Sequence, residues 1–267
     1  MSSPALTLVI PAYDEAARIG HTLGALAGWL RDPPRAPVEV ILADDGSGDG
    51  TLRCLEAFAR EHEAARVLAL PHRGKAATVT SGVLAATGAR VLFSDADLSV
   101  PLSEVGRFAD AIDAGADVAI GSREAPGARR EREPGYRHLM GRAFNGLVRA
   151  LVVPGIQDTQ CGFKMFSRAA ARAIFSRLRR YGPDAPRVRG PMVTAFDVEV
   201  LFVARKLGLR VVELPVPWRH GEQSKVRPVV DAVRMTRDVL GVKWADLRGD
   251  YRAGDLPSAG PRRRMRP

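Results

Sequence analysis

The chain has 267 residues, 46% of them apolar and 26% charged, which is the composition of a soluble globular protein with room for a full core. Its formal charge of +10 reads as either a solvated basic surface with a basic tail or an anionic partner, and charge alone does not choose; aromatic residues make up only 6% and no basic stripe interleaved with them appears, which disfavours nucleic acid. Cys54 and Cys161 are the two cysteines, in no metal-binding spacing, so free thiols in a reducing compartment are expected. No leader pattern and no 18-residue apolar run occurs, so a cytoplasmic protein, at most peripheral at the cytosolic membrane face, is expected.

Strands and helices alternate through the first half. Leu6–Ile10 reads as a strand, and Glu15–Leu30 as a helix with Ile19, Leu23, Leu26 and Leu30 on one face. Val38–Ala43 is a second strand, followed by a helix bearing Leu52, Leu55 and Phe58. Val67–Leu70 is a third, before a helix through Val79, Val83 and Leu84 that Gly88 ends. Val91–Phe93 is a fourth strand, Pro101 opens a helix with Leu102, Val105, Phe108 and Ile112, and Asp117–Ile120 is a fifth strand. This alternation predicts a mainly parallel sheet with right-handed crossovers, covered by helices on both faces.

The second half is less regular. A charged Pro/Gly-containing loop over 124–135 precedes a helix with Leu139, Phe144, Leu147 and Leu151. After Asp158–Lys164 comes a helix near Ala169–Leu178, then a Pro/Gly/Arg loop to Pro191, a helix over Phe196–Leu207, a strand over Val211–Val216 and an amphipathic helix over Pro228–Trp244. One domain over 1–245 is expected, with a nucleotide-sugar half (6–123) and an acceptor half (124–245); the basic tail 246–267 is expected to be disordered.

The chemistry concentrates at strand ends. Asp95-Ala96-Asp97 directly follows the fourth strand, where open α/β sheets place ligands. Alone such a pair usually means an Asp-rich turn. Two carboxylates there suit Mg²⁺ or Mn²⁺, which hold a diphosphate and offset the charge it gains on leaving. Pro11-Ala12-Tyr13-Asp14-Glu15 ends the first strand; its tyrosine and proline can offer a flat wall for a nucleobase, though Tyr13 taken alone reads first as a core-edge aromatic. Asp44-Asp45-Gly46-Ser47 ends the second; Asp45 is placed to accept from a base N–H, while Asp44 has the alternative of supporting the Gly-Ser turn.

These motifs, in this order, resemble glycosyltransferase family 2, and Asp158–Lys164, Phe196–Glu199 and Glu213–Trp218 resemble its dolichyl/polyprenyl-phosphate glucose (or mannose) synthase branch. The resemblance covers about residues 6–243. It implies the GT-A fold, a Rossmann-like three-layer αβα sandwich in one domain. It also implies a metal-dependent inverting enzyme taking a hexose, glucose from UDP-glucose first, to a polyprenyl phosphate.

By that resemblance Pro11, Ala12, Tyr13, Glu15, Ala43, Asp44, Asp45 and Lys75 bind the nucleotide-sugar donor, and Asp95, Ala96 and Asp97 its diphosphate and metal. Arg123, Arg219 and Lys225 match phosphate-side cations; Asp97, Asp158, Arg219 and Lys225 form the implied catalytic set. Asp158 is either a general base or a group that positions substrate, because a phosphate acceptor with a second pKa near ~6 needs no base. Cys161 reads as a buried apolar residue.

Three departures are visible: Gly74-Lys75-Ala76 in place of Gly-Lys-Gly, Ser99 where mannose-type members carry glutamine, and no trailing membrane helices. Rival readings keep the fold but use GDP-mannose, or a soluble hydroxyl acceptor in polysaccharide or secondary-metabolite assembly. Peripheral membrane contact is expected through the 129–132 loop, the Pro228–Trp244 helix and the basic tail.

Overall fold

A computed structural model describes residues 3–131, 135–182, 185–188, 190, 194–219 and 228–251. Its centre is a seven-stranded sheet. The strands are β1 (Leu6–Ala12), β2 (Val38–Asp44), β3 (Ala65–Ala69), β4 (Arg90–Ser94), β5 (Val118–Ser122), β7 (Phe163–Ser167) and β8 (Val211–Pro215), in the order β3-β2-β1-β4-β7-β5-β8. A separate pair joins β6 (Arg129–Glu131) to β9 (Pro217–Arg219).

Alternation within the strands decides the layers. Leu8, Ile10, Leu42 and Leu92 pack on one side of the sheet, while Val9, Ile41, Val91 and Phe93 pack on the other. The first side is covered by α1 (Ile19–Trp29), α2 (Thr51–Glu61) and α4 (Val105–Asp113), through Leu26, Leu55 and Phe108. The second is covered by α3 (Lys75–Ala85), α6 (Arg168–Phe175) and α7 (Phe196–Lys206), and beyond them α5 (Gly135–Leu151) and α8 (Pro228–Arg248). This is the expected three-layer αβα sandwich.

The sheet is parallel except at β7, which runs antiparallel to both β4 and β5. Strand β7 carries no clear strand signal in the sequence. Lys164 interrupts its apolar run, yet in the structure Lys164 is fully buried and its Nζ donates to Asp197 Oδ1 and the Cys161 carbonyl, each at 2.5 Å. The strand is apolar in effect because its charge is matched from α7.

Reversal of β7 has a consequence for the site. Its N-terminal residue Phe163 pairs with Ser94, the last residue of β4. The loop over Asp158–Gly162 therefore lies at the same sheet edge as the loops after β1, β2, β4, β5 and β8. The chain also switches direction across the sheet between β1 and β4, opening a crevice at that edge.

The packed chain continues past the expected limit of 245. Helix α8 runs to Arg248, and the buried Tyr251 stacks edge-on against Phe202 while its hydroxyl donates to Glu199 Oε1 at 2.5 Å. A hydrophobic anchor beyond a polar stretch is what the composition of the tail concealed.

Candidate active site

The crevice holds a cleft of about 220 Å³ lined by residues from all three expected strand ends: Pro11, Ala12, Tyr13 and Glu15, then Asp45, then Asp95, Ala96 and Asp97. Lys75, at the first position of α3, completes its floor.

At one end Tyr13 stacks on His72, with ring centroids 3.9 Å apart and planes 6° from parallel. The flat wall expected from Tyr13 is thus a two-ring block. Asp45 is buried behind it. Its carboxylate accepts from the backbone N–H groups of Arg73 and Gly74, at 2.9 and 3.0 Å, and lies 2.8 Å from His72 Nδ1. His72 was missed because a lone histidine in a Pro-His-Arg-Gly turn carries no periodic signal; its place just after the third parallel strand was the clue. Arg18, also missed, lines the cleft and pairs with Glu15.

At the other end Asp95 meets Lys75, Nζ to Oδ1 2.5 Å. Burial acts to lower the Lys75 pKa, but Asp95, Asp197 and Asp97 outweigh it and raise it above its ordinary value. Asp97 is exposed, and its Oδ1 accepts the Ser99 N–H. Between them the turn is strained: Leu98 has φ +48°, a left-handed conformation costing a branched residue about 1–2 kcal/mol. Its N–H returns to the Asp95 carbonyl at 3.0 Å. These hydrogen bonds hold the turn against that strain and keep both carboxylates at the cleft.

Behind Asp95 stands the loop before β7. The Asp95 N–H donates to the Gly162 carbonyl at 3.1 Å, and a Cβ at Gly162 would come within 2.1 Å of Asp95 Oδ2. The Lys164–Asp197 pair holds the preceding Cys161 carbonyl, fixing that loop from below. Cys161 itself is fully buried and its thiol is pushed up to about 12 by burial, so it is an inert packing residue, as expected.

Several expected site residues are placed elsewhere. Asp158 is fully buried and does not line the cleft; Arg123 forks it, Nε to Oδ2 2.7 Å and Nη2 to Oδ1 2.9 Å, and the N–H groups of Arg123 and Gln160 donate to it as well. Burial acts to raise its pKa, but Arg123 holds the carboxyl far below the usual range. Held this way, Asp158 is a buried, ionised partner of Arg123. Arg123 is correspondingly turned to Asp158, with its guanidinium 5.2 Å from the Trp218 ring, and not to the cleft.

Asp44 takes its alternative role: Oδ2 accepts from the Gly46 and Ser47 N–H groups, both at 3.0 Å. Ala43 is buried in the sheet beneath it. Arg219 is exposed on β9, and its N–H bonds the Ser99 carbonyl at 3.0 Å, which ties its strand to the Asp95–Asp97 turn. Lys225 lies outside the described residues.

The model of glycosyl transferase family 2 matches residues 7–175. The chain belongs to this family. It is 33% identical to a dolichyl-phosphate beta-glucosyltransferase of Saccharomyces cerevisiae, over 92% of this chain and 76% of that one, and 30% identical to the Homo sapiens protein of the same name, over 92% and 77%. Among solved structures it resembles Mycobacterium tuberculosis glucosyl-3-phosphoglycerate synthase in complex with Mn²⁺ and UDP (TM-score 0.63, 20% identity, 96% of this chain and 82% of that one). It also resembles the Pyrobaculum calidifontis mannosyltransferase PcManGT in complex with GDP-Man and Mn²⁺ (TM-score 0.58, 20% identity, 96% and 67%). The fold is that of the GT-A glycosyltransferases, and the protein is a glycosyltransferase.

Proposed function

We propose that this enzyme transfers glucose from UDP-glucose to a polyprenyl phosphate, with inversion at the anomeric carbon and the aid of Mg²⁺ or Mn²⁺. The observation that carries the acceptor is the burial of Asp158 under Arg123. A hydroxyl acceptor needs a base in the cleft. Among the described residues, the carboxylates lining it are otherwise engaged: Glu15 by Arg18, Asp45 by backbone N–H groups and His72, and Asp95 and Asp97 by the proposed cation. A phosphate monoester has a second pKa near ~6 and arrives as an anion, so it displaces UDP without one. The names of the yeast and human relatives support the same acceptor and sugar.

The donor set fits a divalent cation. Among the described residues there is no cluster of three or more His, Cys, Asp or Glu side chains that would form a closed cage. Two aspartates at a cleft suit Mg²⁺ or Mn²⁺, which take their other ligands from phosphates and water. Asp95 and Asp97 would hold it, and when bound it supplies positive charge to the diphosphate. The Tyr13–His72 block and Asp45 receive the base, and Lys75 stands between Asp95 and the diphosphate position as a second positive charge. Arg219, anchored to Ser99, brings another from β9.

The test is incubation with UDP-glucose, UDP-galactose, UDP-N-acetylglucosamine and GDP-mannose, each with Mg²⁺ or Mn²⁺, with and without a polyprenyl phosphate, following product mass. Glucosylated lipid phosphate from UDP-glucose alone is expected. Product from a water-soluble hydroxyl acceptor, and none from the lipid phosphate, would overturn the proposal.

A further inference from the structure

Helix α8 has two apolar faces. Val239, Val242 and Ala245 are buried in the core. Val233, Leu240, Trp244 and Leu247 are 58%, 51%, 59% and 69% exposed. Their spacing of seven, four and three residues puts all four on one side of the helix. An amphipathic surface helix has one apolar stripe to bury; here a second is left in solvent, and contiguous exposed apolar surface of this kind marks an interaction site.

Among the described residues of α8, the charges that border the stripe are basic. Arg237 falls within it, and the Arg248 guanidinium lies 5.6 Å from the Trp244 ring. The acids Asp238 and Asp246 are turned away, Asp238 to Arg180 at 3.3 Å and Asp246 to Lys206 at 2.6 Å. Asp250, an exposed acid, sits beyond the helix end.

We infer that the Val233–Leu247 stripe of α8 is a docking face for an anionic lipid bilayer. Apolar side chains with a tryptophan, bordered by arginines, match the boundary between acyl chains and anionic headgroups. A second copy of the chain fits less well, because it would set Arg237 and Arg248 against their own kind with no acid among the described stripe residues to meet them. Among the described residues no helix is long and apolar enough to cross a membrane, so this contact is peripheral. The inference rests on the lipid-phosphate reading above, since that acceptor keeps its chain in the bilayer; it specifies which face meets the membrane.

The experiment is sedimentation of the full chain with vesicles of phosphatidylcholine alone and of phosphatidylcholine with phosphatidylglycerol, for the wild type and for Leu240→Glu with Trp244→Glu. Both side chains are more than half exposed, so the variant keeps the core, which circular dichroism and UDP binding check. Salt-sensitive binding to the anionic vesicles, reduced about tenfold or more in the variant, is expected. Turnover with a short-chain water-soluble prenyl phosphate should be unchanged in the variant, while turnover with the bilayer-embedded acceptor falls. Absence of wild-type binding, or equal binding by the variant, overturns the inference. So does a concentration-dependent dimer that the variant abolishes while vesicle binding persists. Anionic-vesicle binding through the stripe without transfer to any prenyl phosphate would keep the docking face and overturn the acceptor reading instead.

Discussion

Gly162 faces Asp95 with no room for a side chain: a Cβ there would stand 2.1 Å from Asp95 Oδ2 and 2.3 Å from its Cγ. The same glycine accepts the Asp95 N–H through its carbonyl. Gly162→Ala must therefore push the carboxylate out of its position while leaving Cys161 and Phe163 packed. Loss of metal-dependent UDP binding is expected with a near-native melting transition. Calorimetric titration of UDP with and without Mn²⁺ checks it, and unchanged binding would show that Asp95 has freedom to move.

Asp95→Ala and Asp97→Ala should each abolish transfer, because two carboxylates at an open cleft leave, among the described residues, no third acid in a metal-binding cluster to replace either. Asp97 is exposed and Asp95 partly so, and the fold should survive either change. Turnover with and without chelator is the measurement. Wild-type rates in both variants would remove the cation from the reaction.

Lys75 pairs with the carboxylate that the proposed cation also needs. Lys75→Gln removes a competing positive charge, so Mn²⁺ should bind several-fold more tightly in the absence of nucleotide. UDP should bind more weakly and turnover fall, because the same charge is missing beside the diphosphate. Opposite movement of the two affinities is the signature; a parallel loss of both would mean that Lys75 only supports the fold.

The motif-bearing turns and the alternating first half were legible in the sequence because each rests on local information: apolar runs of strand length, and Asp or Gly at their ends. Tyr13, Asp45, Asp95 and Asp97 all reached the cleft for that reason. What failed to show depends on partners far along the chain. Strand β7 hid behind Lys164, whose counter-ion Asp197 is 33 residues away. Asp158 carries two alternatives in the sequence, base or positioning group, and nothing local reveals that Arg123, 35 residues earlier, forks its carboxylate. His72 became a site residue only through its contacts with Tyr13 and Asp45.

Tyr251 tests where the folded chain ends. Its hydroxyl serves Glu199, a buried carboxyl that also accepts the Arg179 N–H at 2.7 Å; burial raises the pKa of that carboxyl above its ordinary value. Tyr251→Phe leaves one fewer donor for a buried acceptor and should cost about 1–3 kcal/mol in denaturant unfolding. A chain ending at Arg248 should lose more than the point variant, since the ring contact with Phe202 goes as well. Equal stability of all three proteins would place the end of the domain earlier.

Asp158 separates a structural anion from a catalytic base by pH. Its folded-state pKa lies well below the ordinary carboxylate value of about 3.9, so its contribution to stability is complete above that value and is lost as pH falls through the lower folded one. No change in melting temperature between about pH 5 and 8 should trace to this group. Asp158→Ala should cost about 3–5 kcal/mol by leaving Arg123 unmatched, so Asp158→Asn, which keeps the shape, is the variant for kinetics. If the acceptor is a phosphate, the acid limb of kcat/KM falls near pH ~6, where that phosphate takes its second proton, and the limb belongs to the substrate. Asp158→Asn should therefore melt at lower temperature, yet keep the limb at the same pH. A limb that shifts or vanishes in the variant would restore Asp158 as the base and, with it, a hydroxyl acceptor.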